Sequence, residues 1–345
     1  MIAEKYQPNE QVKSYFRILS PTFPKWLKEY VNTAPLLKQQ YISTTCGTIY
    51  TDLFDSSFFY SSLDHSVAVA LIVWHFTKDQ KQTLAGLFHD IATPAFKHCV
   101  DFLNGDYLKQ ESTEGLTTEI IQSSDEIMRL LKRDNIKLKE VDNYHLYPIA
   151  DNDTPKLSAD RLEYSLSNAL FTYHMLKEDD IKTIYNDIII QKNSDDEMEL
   201  GFKSEQIATR FVEVTSIMSV IYRDNRTRFS MQFIADILKR LNSDGKITKS
   251  DLYNLKESEI IKLIEGSKYS NIFEIWRKAK AVESSIESPP TTIYSVRCDV
   301  KVRYVNPLFS GNRIADVNQS AGEAIAKNLS YKMSDYCHLN FGFPE

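Results

Sequence analysis

The sequence predicts a mainly α-helical protein that ends in a small strand-containing appendage. Apolar residues recur at helical spacing up to about residue 285, and the chain of 345 residues has only ten glycines. No glycine-rich phosphate-binding motif supports a Rossmann or P-loop sheet. After residue 295 the apolar period changes to two, as in a half-buried strand. We therefore expect a helical core in residues 1–285, then a linker and a small α+β appendage in residues 286–345.

The first clear helices carry histidines near their ends. Residues 61–64, SSLD, have the spacing of a capping box and predict a helix with His65 in its first turn. Asp79 is a good N-cap for a second helix. Its last turn contains the adjacent pair His89 and Asp90, set in an otherwise apolar helix.

The following segments are also predicted to be helical. Thr93 and Pro94 start a helix over residues 95–102, and another covers residues 110–122. A third runs over residues 157–173. Residues three, four, seven and eight apart share a helix face, and on this helix that spacing joins Asp160, Arg161, Tyr164 and Asn168.

The carboxyl-terminal part changes character. More amphipathic helices occupy residues 205–281, and residues 284–290, SSIESPP, indicate a linker. Residues 296–304 then alternate between apolar and polar, which predicts a strand of a small antiparallel sheet. Ser320 with Glu323 is expected to cap a last helix.

Composition narrows the class of protein. The net charge is −6, and Lys and Arg are scattered, so no basic field favours a long nucleic acid. The four cysteines are widely spaced and include no C-x-x-C pair, which fits a reducing compartment. The longest apolar stretch, residues 67–74, is too short to cross a membrane. We expect a cytoplasmic protein without a membrane partner.

Four side chains form a candidate metal site. Imidazole and carboxylate ligands together suit a borderline or hard divalent cation. Any one of them alone has an ordinary reading as a helix cap or a core residue. Burial of a His-Asp pair in an apolar helix, however, costs several kcal/mol unless a cation or partner compensates it. The predicted ligands are His65, His89, Asp90 and Asp160.

Two segments resemble a known family. Residues 89–98, HDIATPAFKH, and residues 160–164, DRLEY, are similar to motifs of the HD-domain phosphohydrolase superfamily. Within it, they resemble the deoxynucleoside triphosphate triphosphohydrolase branch, with coverage of roughly residues 35–180. The resemblance implies an HD-domain helical bundle with one divalent metal ion between helices. The ligand set does not choose among Mn, Fe, Ni, Zn and Mg.

The same resemblance implies roles for individual residues. His98 becomes the proton donor to the leaving oxygen or a phosphate-stabilising group, and Asp90 is counted with it as catalytic. Glu111 is a third catalytic candidate, although a first-turn carboxylate favoured by the helix dipole is the simpler alternative. Three residues are expected to bind the substrate: Arg161 at a phosphate, and Tyr164 and Asn168 in the nucleotide pocket.

The chain also departs from the family pattern. Thr93 and Gln110 stand where the triphosphohydrolases often have histidines, Ser62 replaces a common arginine, and Asn168 replaces an aspartate. Metal binding is expected to survive these changes, because the four predicted ligands are retained. Specificity for deoxynucleoside triphosphates does not follow from the resemblance, because the changed positions belong to the family's substrate pocket.

These observations predict a metal-dependent phosphohydrolase. Water activated by the cation would cleave a phosphoester or phosphoanhydride of a small phosphorylated metabolite, with a nucleotide as the expected substrate. Two alternatives stay open: a cyclic-nucleotide-type phosphodiesterase, and a nucleotide-binding regulatory HD protein with weakened catalysis. Assembly into a homo-oligomer is implied by the resemblance alone.

Overall fold

The computed structural model describes residues 5–55, 58–110, 112 and 114–344. The helices are α1 Glu10–Leu19, α2 Lys25–Val31, α3 Ala34–Lys38, α4 Ser62–Thr77, α5 Gln80–Phe88, α6 Cys99–Leu103, α7 Thr117–Ser123, α8 Asp125–Arg133, α9 Ala159–Ser167, α10 Glu178–Asn186, α11 Glu205–Ile221, α12 Asn225–Ser243, α13 Lys249–Asn254, α14 Glu257–Glu265, α15 Ser270–Lys278, α16 Ile314–Val317 and α17 Gln319–Leu329. The strands are β1 Ile188–Lys192, β2 Met198–Phe202, β3 Glu283–Ser285, β4 Ser295–Val296, β5 Leu308–Phe309, β6 Asn312–Arg313 and β7 Tyr336–His338. The prediction of a mainly helical fold with small sheets is confirmed.

Helix α4 is the centre of the larger hydrophobic core. Residues 62–73 of this helix are all buried, because α1, α5 and α9 pack around it. A helix that is apolar on all sides is stable only when it is enclosed in this way. The predicted capping box is present: the hydroxyl of Ser61 accepts a hydrogen bond from the Asp64 amide, and the Asp64 carboxylate accepts one from the Ser61 amide. The start of α4 is therefore fixed by its own sequence.

A second hydrophobic core lies around α12. This helix packs against α6 and against β4 and β7 of the carboxyl-terminal region. Phe233 of α12 contacts the rings of Trp276 and Phe341, with centroid distances of 5.6 and 5.3 Å. The carboxyl-terminal region is thus covered by the same apolar side chains that fix α12.

Two small sheets join distant parts of the chain. In one, β1 and β2 form an antiparallel hairpin, β5 pairs with β2 in parallel, and β6 pairs with β5. Gly201 permits the β2–β5 approach, because a Cβ atom there would lie 2.7 Å from the carbonyl oxygen of Leu308. The other sheet has the order β3-β7-β4. The hairpin at residues 188–202 interrupts a region that the sequence predicts to be helical.

The prediction of a strand over residues 296–304 is wrong in extent. Regular pairing stops after β4, and residues 297–307 continue without regular structure. Their backbone groups bond to loops and side chains instead of a ladder. The amide of Lys301 donates to Tyr107 O at 3.2 Å, and the carbonyl of Arg303 accepts from Asn328 Nδ2 at 3.2 Å.

Three predicted helix starts are also wrong. The N-cap of α17 is Asn318, whose side chain accepts a hydrogen bond from the Ala321 amide, and not Ser320. Phe96 and Lys97 have φ values of 63° and 44°, so the helix expected over residues 95–102 begins only at α6. Gln110 has a φ of 59°, and the helix expected over residues 110–122 begins only at α7. The helix expected over residues 157–173 is α9, which continues as a π-helical turn at Asn168–Thr172.

Across the described ranges, the helices all lack the combination of length and apolar character that spanning a bilayer requires.

Candidate metal centre

Three helix ends place the candidate ligands. His65 lies in the capped first turn of α4, and His89 follows the last turn of α5 as its C-cap. Asp160 lies in the first turn of α9, where the Ser158 hydroxyl accepts a hydrogen bond from the Arg161 amide. Because α4 packs against both α5 and α9, the three side chains meet between the helices.

The donor atoms of three ligands have the spacing of a shared ion site. The Nε2 atoms of His65 and His89 are 3.1 Å apart. Asp160 Oδ1 lies 3.2 Å from the first and 3.6 Å from the second. Donors that share one ion at about 2.0–2.2 Å are themselves roughly 3 Å apart. His65, His89 and Asp160 therefore fit a divalent cation.

Both histidines are oriented by bonds from their other ring nitrogen. His89 Nδ1 donates to the carbonyl of Gly86 at 2.7 Å, which leaves the Nε2 lone pair of the neutral ring for a metal. His65 Nδ1 bonds to the buried carboxylate of Glu163. Burial by itself lowers the pKa of His65, but Glu163 and Asp160 outweigh it and raise that pKa to about 10. The surroundings thus favour positive charge at His65, which a cation can supply in place of a proton.

Asp90, the fourth predicted ligand, lies beside the other three. Its Oδ2 is 3.7 Å from His89 Nε2 and 3.9 Å from His65 Nε2. It forms an ion pair of 2.6 Å with Lys97. Burial by itself raises the pKa of Asp90, but Lys97 and the two histidines hold that pKa well below its usual range. Asp90 is therefore an ionised carboxylate at the edge of the cluster of His65, His89 and Asp160, which we call the metal group.

The metal group forms one wall of a cavity of about 430 Å³. His98 lines this cavity, and its Nδ1 bonds to the buried carboxylate of Asp101 at 2.9 Å. Burial lowers the pKa of His98, an effect that Asp101 opposes. Glu111, the other candidate for proton transfer, lies outside the described residues.

All three predicted substrate-binding residues line the same cavity. Arg161 donates to the side-chain oxygen of Asn152 at 2.7 Å and lies 3.5 Å from a carboxylate oxygen of Asp151. Asn168 donates to the hydroxyl of Tyr222 at 3.1 Å. Burial raises the pKa of Tyr164, so its hydroxyl stays neutral. Their assignment to a substrate stays a prediction.

No protein-family model matches the chain. A solved phosphohydrolase from Bacteroides thetaiotaomicron superposes with a TM-score of 0.60 at 14% identity, over 92% of this chain and 96% of that one. A hypothetical protein from Aquifex aeolicus gives a TM-score of 0.54 at 15% identity, over 92% of each chain. This chain has a phosphohydrolase-like fold. The deoxynucleoside triphosphate branch stays a prediction.

A sequence match extends over a smaller region. The uncharacterized protein YdhJ of Bacillus subtilis is 22% identical over 214 residues. The match covers 61% of this chain and 63% of that protein. It therefore supports a relationship over part of the chain and carries no activity with it.

Several residues of the site have no role in the sequence-based prediction. Lys97 reaches Asp90 only because residues 96 and 97 form a left-handed turn, for which the sequence gives no signal. His145 lines the cavity and bonds to Asp151 at 2.9 Å. Arg303 comes from the region predicted as an appendage. Glu163 was detectable in principle, since it lies on the same helix one turn from Asp160.

Proposed function

We propose that the protein is a metal-dependent phosphohydrolase that acts on a small phosphorylated metabolite, with a nucleotide as the expected substrate. The observation that carries this proposal is the convergence of His65, His89 and Asp160 in a cavity that also contains His98 and cationic side chains. The phosphohydrolase-like fold supports it.

His65, His89 and Asp160 would hold the cation, and Asp90 is close enough to join them if Lys97 releases its carboxylate. A divalent cation at such a site supplies a Lewis acid that lowers the pKa of water and offsets charge on a phosphate oxygen. His98 holds its Nδ1 on Asp101, so the proton it exchanges with a leaving oxygen is carried on Nε2.

A nucleotide is favoured over a smaller phosphate ester by the size and lining of the cavity. A volume of about 430 Å³ lies within the usual range for small-molecule sites. Tyr164 and Asn168 offer a ring and an amide to a base or sugar, while Arg161 and Lys97 contribute positive charge. The net charge of −6 gives no support to a long polynucleotide.

Metal analysis followed by a phosphate-release panel tests the proposal. Purified protein is assayed with nucleoside mono-, di- and triphosphates in the presence of Mn²⁺, Mg²⁺, Fe²⁺, Ni²⁺ or Zn²⁺. His89→Asn removes the Nε2 donor, because the shorter side chain cannot reach its position. We expect loss of bound metal and at least a hundredfold lower turnover. His174→Asn is the matched control, since His174 is exposed and its positive φ is one that asparagine tolerates.

The alternatives give different results in the same panel once cyclic nucleotides and a cyclic dinucleotide are added to it. Release of a nucleoside monophosphate from a cyclic nucleotide or cyclic dinucleotide, without activity on the other compounds, would identify a phosphodiesterase. Tight nucleotide binding without product under every ion would identify a regulatory protein. Full turnover and normal metal content in His89→Asn would contradict the proposal itself.

A further inference from the structure

Arg303 is a cationic side chain of the carboxyl-terminal region that lines the cavity. Its Nη2 donates to the side-chain oxygen of Gln110 at 2.7 Å. Among the residues that the structure describes, the Arg303 guanidinium has one hydrogen-bond partner, Gln110, and no carboxylate within ion-pair distance. A guanidinium has five N–H donors in a fixed planar arrangement. Arg303 therefore keeps both its charge and most of its donors for another partner.

The backbone around Arg303 is held in place on both sides. The carbonyl oxygen of Arg303 accepts hydrogen bonds from the hydroxyl of Ser219 and from Asn328 Nδ2. Two residues earlier, the amide of Lys301 donates to Tyr107 O at 3.2 Å. The segment is thus fixed although it has no regular secondary structure. A guanidinium fixed in this way loses little entropy when it binds a ligand.

Gln110 presents Arg303 without neutralising it. The Gln110 side chain is buried, with 5% exposure, and its Nε2 donates to Tyr107 O at 3.4 Å, which points its oxygen toward Arg303. A carboxylate at this position would form an ion pair and cancel the charge. Arg303 and His98, the expected proton donor, line the same cavity. Burial lowers the pKa of His98, and the positive charge of Arg303 adds to this effect.

We propose that Arg303 binds a phosphate oxygen of the substrate and that Gln110 is the residue that positions it. The identity of the anion as a substrate phosphate rests on the proposed function. The recognition chemistry is independent of it: a planar cation with unused donors that lines a cavity can bind a phosphate group through two parallel hydrogen bonds. The carboxyl-terminal region would then supply one wall of the substrate site, while α4, α5 and α9 supply the metal group.

Inorganic pyrophosphate is the probe for this proposal. Its binding to the metal-free 345-residue chain is measured by titration calorimetry, with melting temperatures recorded for every variant. We expect Arg303→Met to weaken binding roughly ten- to a hundredfold, the range for loss of a charge-assisted hydrogen bond. Arg303→Lys should recover part of the affinity because it restores the charge. Arg297→Met is the matched control, since Arg297 belongs to the same segment and is mostly exposed.

Gln110→Glu tests the charge of Arg303 separately from the local structure that holds it. The new carboxylate has nearly the same shape and holds Arg303 at least as firmly, so the melting temperature should not fall. Pyrophosphate binding should nevertheless weaken about as much as in Arg303→Met, because the guanidinium is neutralised. Unchanged binding in Gln110→Glu and Arg303→Met would overturn the proposal. Because this titration contains no metal and measures no turnover, a failed phosphate-release panel would refute the proposed function and leave this result standing.

Discussion

At the scale of single residues, Glu163 decides which nitrogen of His65 faces the metal group. One carboxylate oxygen bonds to His65 Nδ1, and the other accepts hydrogen bonds from Tyr60 at 2.7 Å and Tyr15 at 3.3 Å. A carboxylate can only accept, so Nδ1 must carry the hydrogen. The lone pair of a neutral His65 is then on Nε2, beside His89 and Asp160.

Glu163→Gln should reverse this arrangement. The two tyrosines donate to the amide oxygen, which leaves the NH₂ group facing His65 Nδ1 and favours the tautomer with hydrogen on Nε2. We expect about ten- to a hundredfold weaker Mn²⁺ binding in a calorimetric titration. Tyr15→Phe is the control, because it removes one donor to the far oxygen and leaves the contact with His65. Equal Mn²⁺ affinity in parent and Glu163→Gln would contradict the assigned role.

The candidate site could be predicted from sequence only where one helix or one short motif supplies its residues. His89 stands out because a His-Asp pair is unusual in an apolar helix, and Asp160 stands out because it begins the DRLEY motif. Arg303 could not be found this way, since it follows Gln110 by almost two hundred residues and the two meet only through the fold. Long-range pairs of this kind leave no periodic signal.

At the scale of elements, bonds to α13 and α14 override the helix expected over residues 95–102. The amide of Ala95 donates to Leu252 O at 2.8 Å, and the amide of Phe96 donates to Glu257 Oε1 at 3.1 Å. These acceptors satisfy the amides of Ala95 and Phe96 while the chain forms a left-handed turn. A continuous α-helix excludes such a turn. Local capping signals at Ser61 and Asp79, which have no such competitors, predict their helices correctly.

Glu257, the first residue of α14, makes folding depend on pH. Its side chain is fully buried and accepts hydrogen bonds from Tyr50 and the Phe96 amide, yet burial dominates and raises its pKa from 4.5 to about 7. Between these values the folded protein keeps a proton that the unfolded chain has lost. The contribution of Glu257 to the free energy of unfolding therefore falls as pH rises from 4.5 to 7.

Glu257→Gln should remove this dependence. Relative to the parent, we expect its free energy of unfolding to rise by about 3 kcal/mol between pH 4.5 and pH 8, in urea denaturation at several pH values. Glu265→Gln, at the exposed end of the same helix, should follow the parent curve. If the curves of parent and Glu257→Gln run parallel across this range, Glu257 does not titrate in the folded protein as its burial implies.

At the scale of the whole molecule, the carboxyl-terminal region forms part of the cavity wall. Residues 300–303 line it together with residues of α4 and α9. The sequence predicts an appendage after residue 285 because the apolar period changes there, and that division stays a prediction. A change of period reports secondary structure, whereas the pairing of β5 with β2 depends on shape and could not be predicted from it.

One ion pair ties this region to the core, and its loss should affect both stability and the cavity. Arg313 of β6 bonds to both carboxylate oxygens of Glu199 in β2, at 2.6 and 2.9 Å, and Glu199 is fully buried. Arg313→Met leaves that carboxylate with Asn193 as its described side-chain partner. We expect a loss of about 3 kcal/mol in urea denaturation. Arg133→Met, which breaks an exposed pair with Glu29, should cost less than about 1 kcal/mol.

Because β5 lies between β2 and β6 and leads back to Arg303, Arg313→Met should also weaken pyrophosphate binding, whereas a purely local defect would lower stability alone.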